Sequence, residues 1–416
     1  MRPILDKAVF FFASVPTLEG GARRAGDWRP KMATMAPGSA KFLAPVDSRH
    51  LRPCAGARCP HHRKPPAGDK QPRVLQGSWA RGRVLRAIDP ALTYSAAFAP
   101  STVANLGPGF DLLGCAVEGR GDTVTAKPFE LAGGAKSLED RVVIESIEGD
   151  QGRLTLESKN NCAGIAAIET LRLIESECGA LGKGAGVSLQ LEKGLPLGSG
   201  LGSSAASAAA AAMATNVLFG SPLPKAKLVE AGIVSEAAVS GYHADNIAPA
   251  VLGGFVLVKS TKPLILEPLE CPSDLWFVVV TPVFEAPTKE MRAVLPKEIS
   301  MQLHIENTGA CGELLLGIVQ GNVKDIGHGL SSDTIVEPAR APLIPGFSAV
   351  KANAIEAGAL GCTISGAGPT AVAVVESKED GRAVLAAMKE AFTNEGNLEI
   401  QYADVVKLCK TGAKTV

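Results

Sequence analysis

The densest chemistry in this sequence lies in Gly194-Leu195-Pro196-Leu197-Gly198-Ser199-Gly200-Leu201-Gly202-Ser203-Ser204. It follows an alternating strand-like run and precedes Ala205–Ala214, a helix of almost pure alanine and serine. Glycines let a backbone turn freely and bring its amides against a ligand with no Cβ in the way. The first turn of a helix adds unpaired N–H groups and partial positive charge. Together they make an anion site suited to phosphates. The loop is not a Walker A motif, since no Gly-Lys-Ser/Thr follows, and it lacks the Gly-x-Gly-x-x-Gly spacing of dinucleotide folds. A flexible turn before an alanine-rich helix is the bland alternative, and alternating glycines followed by two serines argue against it.

Two further blocks stand beside this loop. Pro100-Ser101-Thr102-Val103-Ala104-Asn105-Leu106-Gly107-Pro108-Gly109-Phe110-Asp111 lies before it, and Gly361-Cys362-Thr363-Ile364-Ser365-Gly366-Ala367-Gly368-Pro369-Thr370 after it. The three blocks in this order resemble the motifs of the GHMP kinases, from about Thr93 to the end of the chain. The first block, with Gly241-Tyr242-His243-Ala244-Asp245-Asn246 and Thr288-Lys289-Glu290-Met291-Arg292, is similar to the homoserine kinase branch. That resemblance implies an α+β GHMP fold, with an S5-like nucleotide-binding domain at 93–259 and a ferredoxin-like domain at 260–416. It also implies ATP-dependent phosphorylation of the homoserine hydroxyl, in threonine biosynthesis.

The resemblance carries residue roles. Amides of Gly198 to Ser204, with Pro196 and Leu197 at the loop's entry, are expected to cradle the ATP phosphates. Asn161 and Lys193 match positions near the nucleoside. Ser204 and Glu236 match the partners of Mg²⁺, a hydroxyl and a carboxylate of the hard oxygen type this ion takes. Homoserine is a zwitterion, so its site needs an anion, a cation and polar groups at the hydroxyl. Asp111 is expected at the ammonium, Arg292 and Arg340 at the carboxylate, and Asn105 and Asn246 at the hydroxyl, because a guanidinium grips a carboxylate through two hydrogen bonds. Thr288, His243 and Asp245 complete the pocket. Asp245 is the candidate general base, the alternative being direct proton transfer to the phosphate. Bland readings stand beside these: Arg292 as a surface arginine, Arg340 paired with Glu337, His243 as an ordinary hydrogen-bonded histidine, and the last glycine block as a structural turn. Rival functions are another GHMP kinase, for mevalonate or a sugar, and a non-catalytic metabolite-binding protein.

These side chains need strands and helices to place them. Alternation and apolar runs predict strands at Ser95–Ala99, Asp122–Lys127, Val187–Lys193, Gly254–Lys259, Trp276–Thr281 and Ala371–Val375. Helical spacing of Ile165, Ile168, Leu171 and Ile174 marks Cys162–Glu175, and further helices are expected at Met301–Val319, Ser348–Ala357 and Lys378–Phe392. Mixed hairpins and helices favour α+β over a doubly wound sheet. Lys, Pro and Glu between two apolar strands suggest a boundary near Lys259–Leu269.

The formal net charge is zero, but it divides: residues 1–92 hold 17 basic and 6 acidic residues, and the remainder is net negative. The chain is therefore read in parts. The leader is rich in Arg, Pro, Gly and Ala and poor in acid, as organellar transit peptides are, which points to a plastid. Met32-Ala33-Thr34-Met35 reads as an internal start. Cys54, Cys59, His61 and His62 fit no common zinc spacing, and the prolines around them deny a compact scaffold. No apolar run reaches the ~18–20 residues that span a bilayer. The basic leader carries no nucleic-acid recognition motif. Nine scattered cysteines read as free thiols, with Cys115 and Cys362 as small buried residues. Family analogy makes a homodimer the expected assembly.

Overall fold

The computed structural model describes residues 92–131, 137–182, 184–239, 241–272 and 274–416. The leader, its internal start and the Cys/His cluster lie outside the described residues. In chain order the elements are β1 (Ser95–Ala104), β2 (Leu113–Glu130), β3 (Val142–Glu148), α1 (Cys162–Cys178), β4 (Ala185–Lys193), α2 (Ser203–Leu218), α3 (Lys225–Val239), α4 (Ile247–Leu252), β5 (Phe255–Thr261) and β6 (Leu264–Leu269). There follow β7 (Trp276–Pro282), α5 (Thr288–Ala293), α6 (Met301–Gln320), α7 (Val323–Ser331), α8 (Val336–Arg340), α9 (Phe347–Glu356), β8 (Gly361–Ile364), β9 (Ala371–Val375), α10 (Lys378–Asn394), β10 (Ile400–Lys407) and β11 (Lys414–Thr415).

Alternation in β2 buries Asp122, Val124 and Ala126 while Thr123 and Thr125 stay half-covered. That pattern seats β2 in a sheet ordered β11-β1-β2-β4-β3, with the start of β2 also pairing with β5 and β5 with β6. Among the described residues only β3 and β4 run parallel. Small side chains let α2 pack on all sides, and every residue from Ala205 to Asn216 is buried. The N-terminus of α2 is therefore held by close packing against β1, β2 and α1 rather than by a cap. Helix α1 starts at Asn161, whose side chain accepts from the Ala163 amide, and its Ile168, Leu171 and Ile174 are buried while Ile165 is partly covered.

The second sheet is antiparallel and ordered β10-β7-β9-β8. With α5–α9 between β7 and β8, and α10 between β9 and β10, this is the ferredoxin-like βαββαβ arrangement. Its two inner strands, β7 and β9, are apolar runs because both faces are covered. Phe277 and Val279 of β7 belong to the core of the larger sheet, where Phe277 meets Phe255 with ring centroids 6.5 Å apart. Val278 and Val280 face the other way, onto Phe347, Val384 and Phe392. The expected boundary at 259/260 falls inside β5. The chain leaves the larger sheet only after β6, and β11 returns to it.

Candidate active site

The glycine loop needs its glycines. Gly198, Gly200 and Gly202 all have positive φ, at +66°, +81° and +66°. A Cβ on Gly200 would lie 2.5 Å from the Ser365 carbonyl oxygen, and one on Gly202 would run into the Thr102 hydroxyl. Those neighbours are the other two motifs. Thr102 N donates to Leu201 O at 3.1 Å. From the C-terminal block, Ser365 Oγ donates to Gly200 O at 2.7 Å and Thr370 Oγ1 to Ser199 O at 2.6 Å. The last glycine block is thus more than a turn: it braces the loop.

Beneath the loop lies a buried ion pair, Lys193 with Asp122, direct cross-strand partners in β4 and β2. Asp122 Oδ1 accepts the Gly194 and Leu195 amides at 3.0 and 3.2 Å, and Oδ2 accepts Ser207 Oγ at 2.7 Å. Lys193 Nζ also donates to Ser203 O at 2.9 Å and to Ser207 Oγ at 2.8 Å. Lys193 therefore lines the cavity as part of the loop's floor, tied to a carboxylate. Asp122 was not among the expected site residues; its signal was a lone acid on the buried face of an otherwise Thr/Val strand, opposite a lysine.

One cavity of about 440 Å³ joins this loop to the residues expected at the substrate. Asn161, Lys193, Leu197, Gly198, Ser199, Gly200, Gly202, Ser203, Ser204 and Glu236 line one part; Asn105, Asp111, His243, Asp245, Asn246, Thr288, Arg292 and Arg340 line the other. Two expected residues are not on it. Leu201 is wholly buried and contributes to the core, its amide taken by Ser199 Oγ at 3.4 Å. Pro196 faces a separate hollow of about 240 Å³ beside Glu285.

At the far end of the cavity from the loop, Asp111 and Arg292 pair through two parallel bonds of 2.9 and 2.8 Å. Arg292 is thus a half-buried member of the pocket, not a surface arginine. Arg340 is 2% exposed and donates to Met291 O at 3.0 Å and Gly366 O at 2.9 Å. It does not pair with Glu337, which binds Lys351 and accepts Thr363 Oγ1 at 2.9 Å. Burial and the neighbouring Arg292 bring Arg340 down to about 10, so it stays cationic at neutral pH. His243 Nδ1 is 3.5 Å from Asp111 Oδ1. Burial lowers its pKa, partly opposed by Asp111, so the imidazole is neutral at pH 7.

Asn105 and Asp111 both sit in the left-handed region, with φ of 56° and 58°. Such strain in non-glycine residues gathers at functional sites. Asn105 is engaged at both ends: Oδ1 accepts the Asp111 amide at 2.9 Å and Nδ2 donates to Gly366 O at 3.1 Å. Asn246 Oδ1 accepts Thr102 Oγ1 at 2.8 Å, which leaves Nδ2 as its donor. Asp245 is 2% exposed; burial first, then Asp111, raises its pKa from 3.8 to about 7. Cys115 and Cys362 are fully buried free thiols pushed up by desolvation, Cys362 to about 12.

Family models agree with this geometry. GHMP kinases N terminal domain matches residues 166–254, and GHMP kinases C terminal matches residues 314–394. A homoserine kinase of Arabidopsis thaliana is 54% identical over 332 residues, covering 79% of this chain and 86% of that protein. The chain belongs to the homoserine kinase family. A homoserine kinase of Chlorobium phaeobacteroides is 42% identical over 321 residues, covering 77% of this chain and 98% of its own. The crystal structure of homoserine kinase from Cytophaga hutchinsonii superposes with a TM-score of 0.71 at 38% identity, covering 79% of this chain and 99% of that one. The fold is that of the GHMP kinases, with helix and sheet mixed in both parts.

Proposed function

We propose that this chain transfers the γ-phosphoryl group of ATP to the side-chain hydroxyl of L-homoserine, giving O-phospho-L-homoserine and ADP. The observation that carries this reading is one cavity with the glycine loop at one end and, at the other, an aspartate paired with Arg292 together with the buried Arg340. A mevalonate or sugar substrate has no ammonium for Asp111 to hold.

In this reading the larger sheet and its helices hold the nucleotide, and the smaller sheet brings Arg340 and the bracing glycine block. Amides of the loop from Gly198 to Ser204, other than the engaged amide of Leu201, and the α2 terminus receive the phosphates. Asn161 and Lys193 lie on the nucleoside side. Ser204 and Glu236 both line the cavity and carry the hard oxygen ligands that would hold a Mg²⁺ there. Bound there, the ion supplies charge neutralisation on the phosphates. Asp111 holds the ammonium, Arg292 and Arg340 the carboxylate, with Thr288 and His243 as walls. Asn246 Nδ2 and Asn105 orient the hydroxyl. A carboxyl half-ionised near pH 7 is suited to take the hydroxyl proton. The proton passes to Asp245 as the oxygen bonds to γ-phosphorus and the bond to ADP breaks. Positioning and electrostatics supply the remainder of the acceleration.

The acid-poor, arginine-rich leader and the plant relative support a plastid location, testable by import of a leader–reporter fusion. Met301, Ile305, Leu316 and Val319 are exposed along α6, which supports a homodimer; light scattering reads the mass. Among the described residues no helix is long and apolar enough to cross a membrane. The deciding experiment is ADP release with Mg-ATP and a panel of homoserine, mevalonate, galactose and shikimate. Turnover with homoserine alone is expected; turnover with another acceptor and not with homoserine would overturn the reading.

A further inference from the structure

Two guanidinium groups meet in this pocket, and one of them is almost wholly buried. Like charges repel, and the cost grows as water is removed. Arg292 has the Asp111 carboxylate as its anion, while the hydrogen bonds of Arg340 go to two backbone carbonyls. Phe110 touches both. The central carbon of Arg292 is 5.1 Å from its ring centroid, and that of Arg340 is 5.0 Å. Both lie within the ~6 Å at which an aromatic face attracts a cation. Phe110 and Asp111 are consecutive, so the turn after Gly107-Pro108-Gly109 presents the Phe110 ring to the carbon centre of Arg292 and the Asp111 carboxylate to its N–H edge.

We propose that Phe110 is a positioning residue for the substrate carboxylate, its ring holding Arg292 and Arg340 together as one two-armed cation. The inference rests on the homoserine reading given above. If Asp111 turns to the ammonium of the incoming amino acid, it must give up part of its hold on Arg292. The aromatic ring is the partner that does not change hands, and it keeps both guanidinium groups in place while the carboxylate arrives. Packing alone gives a different expectation, since a near-isosteric ring of lower electron density would then serve equally well.

The test follows from that difference. In the full chain, Phe110 is exchanged for mono-, di- and trifluorinated phenylalanine, which withdraw electron density from the ring face at nearly constant volume. KM for homoserine should rise stepwise, on the order of tenfold across the series. KM for ATP should stay within error, and the substituted chains should remain folded, with at most a modest fall in thermal midpoint as the ring loses its hold on the buried Arg340. Phe110→Leu, which keeps an apolar side chain, should fall at or beyond the trifluorinated end. A flat series, or a fall in kcat at constant KM, overturns the proposal. Failure of the unsubstituted protein to turn over homoserine would instead overturn the functional reading, and this inference with it.

Discussion

Asp245→Asn should make the protein more stable and less active, and the gain in stability should grow with pH. The carboxyl of Asp245 is nearly wholly buried, and its pKa is raised from 3.8 to about 7, chiefly by desolvation and then by Asp111. Between about pH 4 and 7 the folded chain keeps a proton that the unfolded chain releases, so stability falls as pH rises through this window. The slope is at most about 1.4 kcal/mol per pH unit, and the whole loss at most about 4 kcal/mol by pH 8. Asparagine is nearly the same size and does not titrate. Groups that titrate alike in both proteins cancel in the comparison. Urea unfolding of the two proteins at several pH values from 4.5 to 8.5 measures the difference. The two stability curves should diverge by several kcal/mol toward alkaline pH, with the variant above. Parallel curves would refute the claim that burial holds this carboxyl near neutrality. Activity should move the other way. If Asp245 takes the proton, kcat should fall about 10²–10⁴-fold, and the acid limb of the wild-type rate profile near pH 7 should vanish.

Arg292→Lys keeps the charge but loses the two-bond fork on Asp111; KM for homoserine should rise at least tenfold while KM for ATP holds, as steady-state kinetics would report. Gly202→Ala forces a Cβ into the Thr102 hydroxyl at a φ that alanine resists, so calorimetry should find ATP binding severely weakened even where the chain still folds. Lys193→Met leaves Asp122 as a buried charge without its cation, and should cost about 3–5 kcal/mol in denaturant unfolding. Its partial repair by adding Asp122→Asn would separate the loss of the pair from the loss of a nucleotide contact.

Much of this molecule is legible in its residues one element at a time. The ten strands and helices expected from periodicity, and the Ala/Ser helix after the loop, all occur, most of them longer than expected. The glycine loop announces an anion site because glycine spacing and a following helix are local facts. Strands β3, β6, β8, β10 and β11 were not anticipated: they are short, or exist because a neighbour offers a ladder, and β11 has only two residues. Residues whose role depends on a distant partner were legible only by resemblance. Asp111 and Arg292 lie 181 positions apart, and nothing local says that they meet. Asp122 read as one polar residue in a strand until the register set it against Lys193. Phe110 read as part of a motif until two arginines from other helices arrived beside it. The sequence determined the loop, the helices α1, α2, α6, α9 and α10 and the supply of charged groups, because these follow from backbone freedom and side-chain pattern over a few residues. The tertiary structure alone decided which charges pair, which are buried and which pKa values move, because Coulomb interaction and desolvation depend on distance and dielectric, and chain order encodes neither.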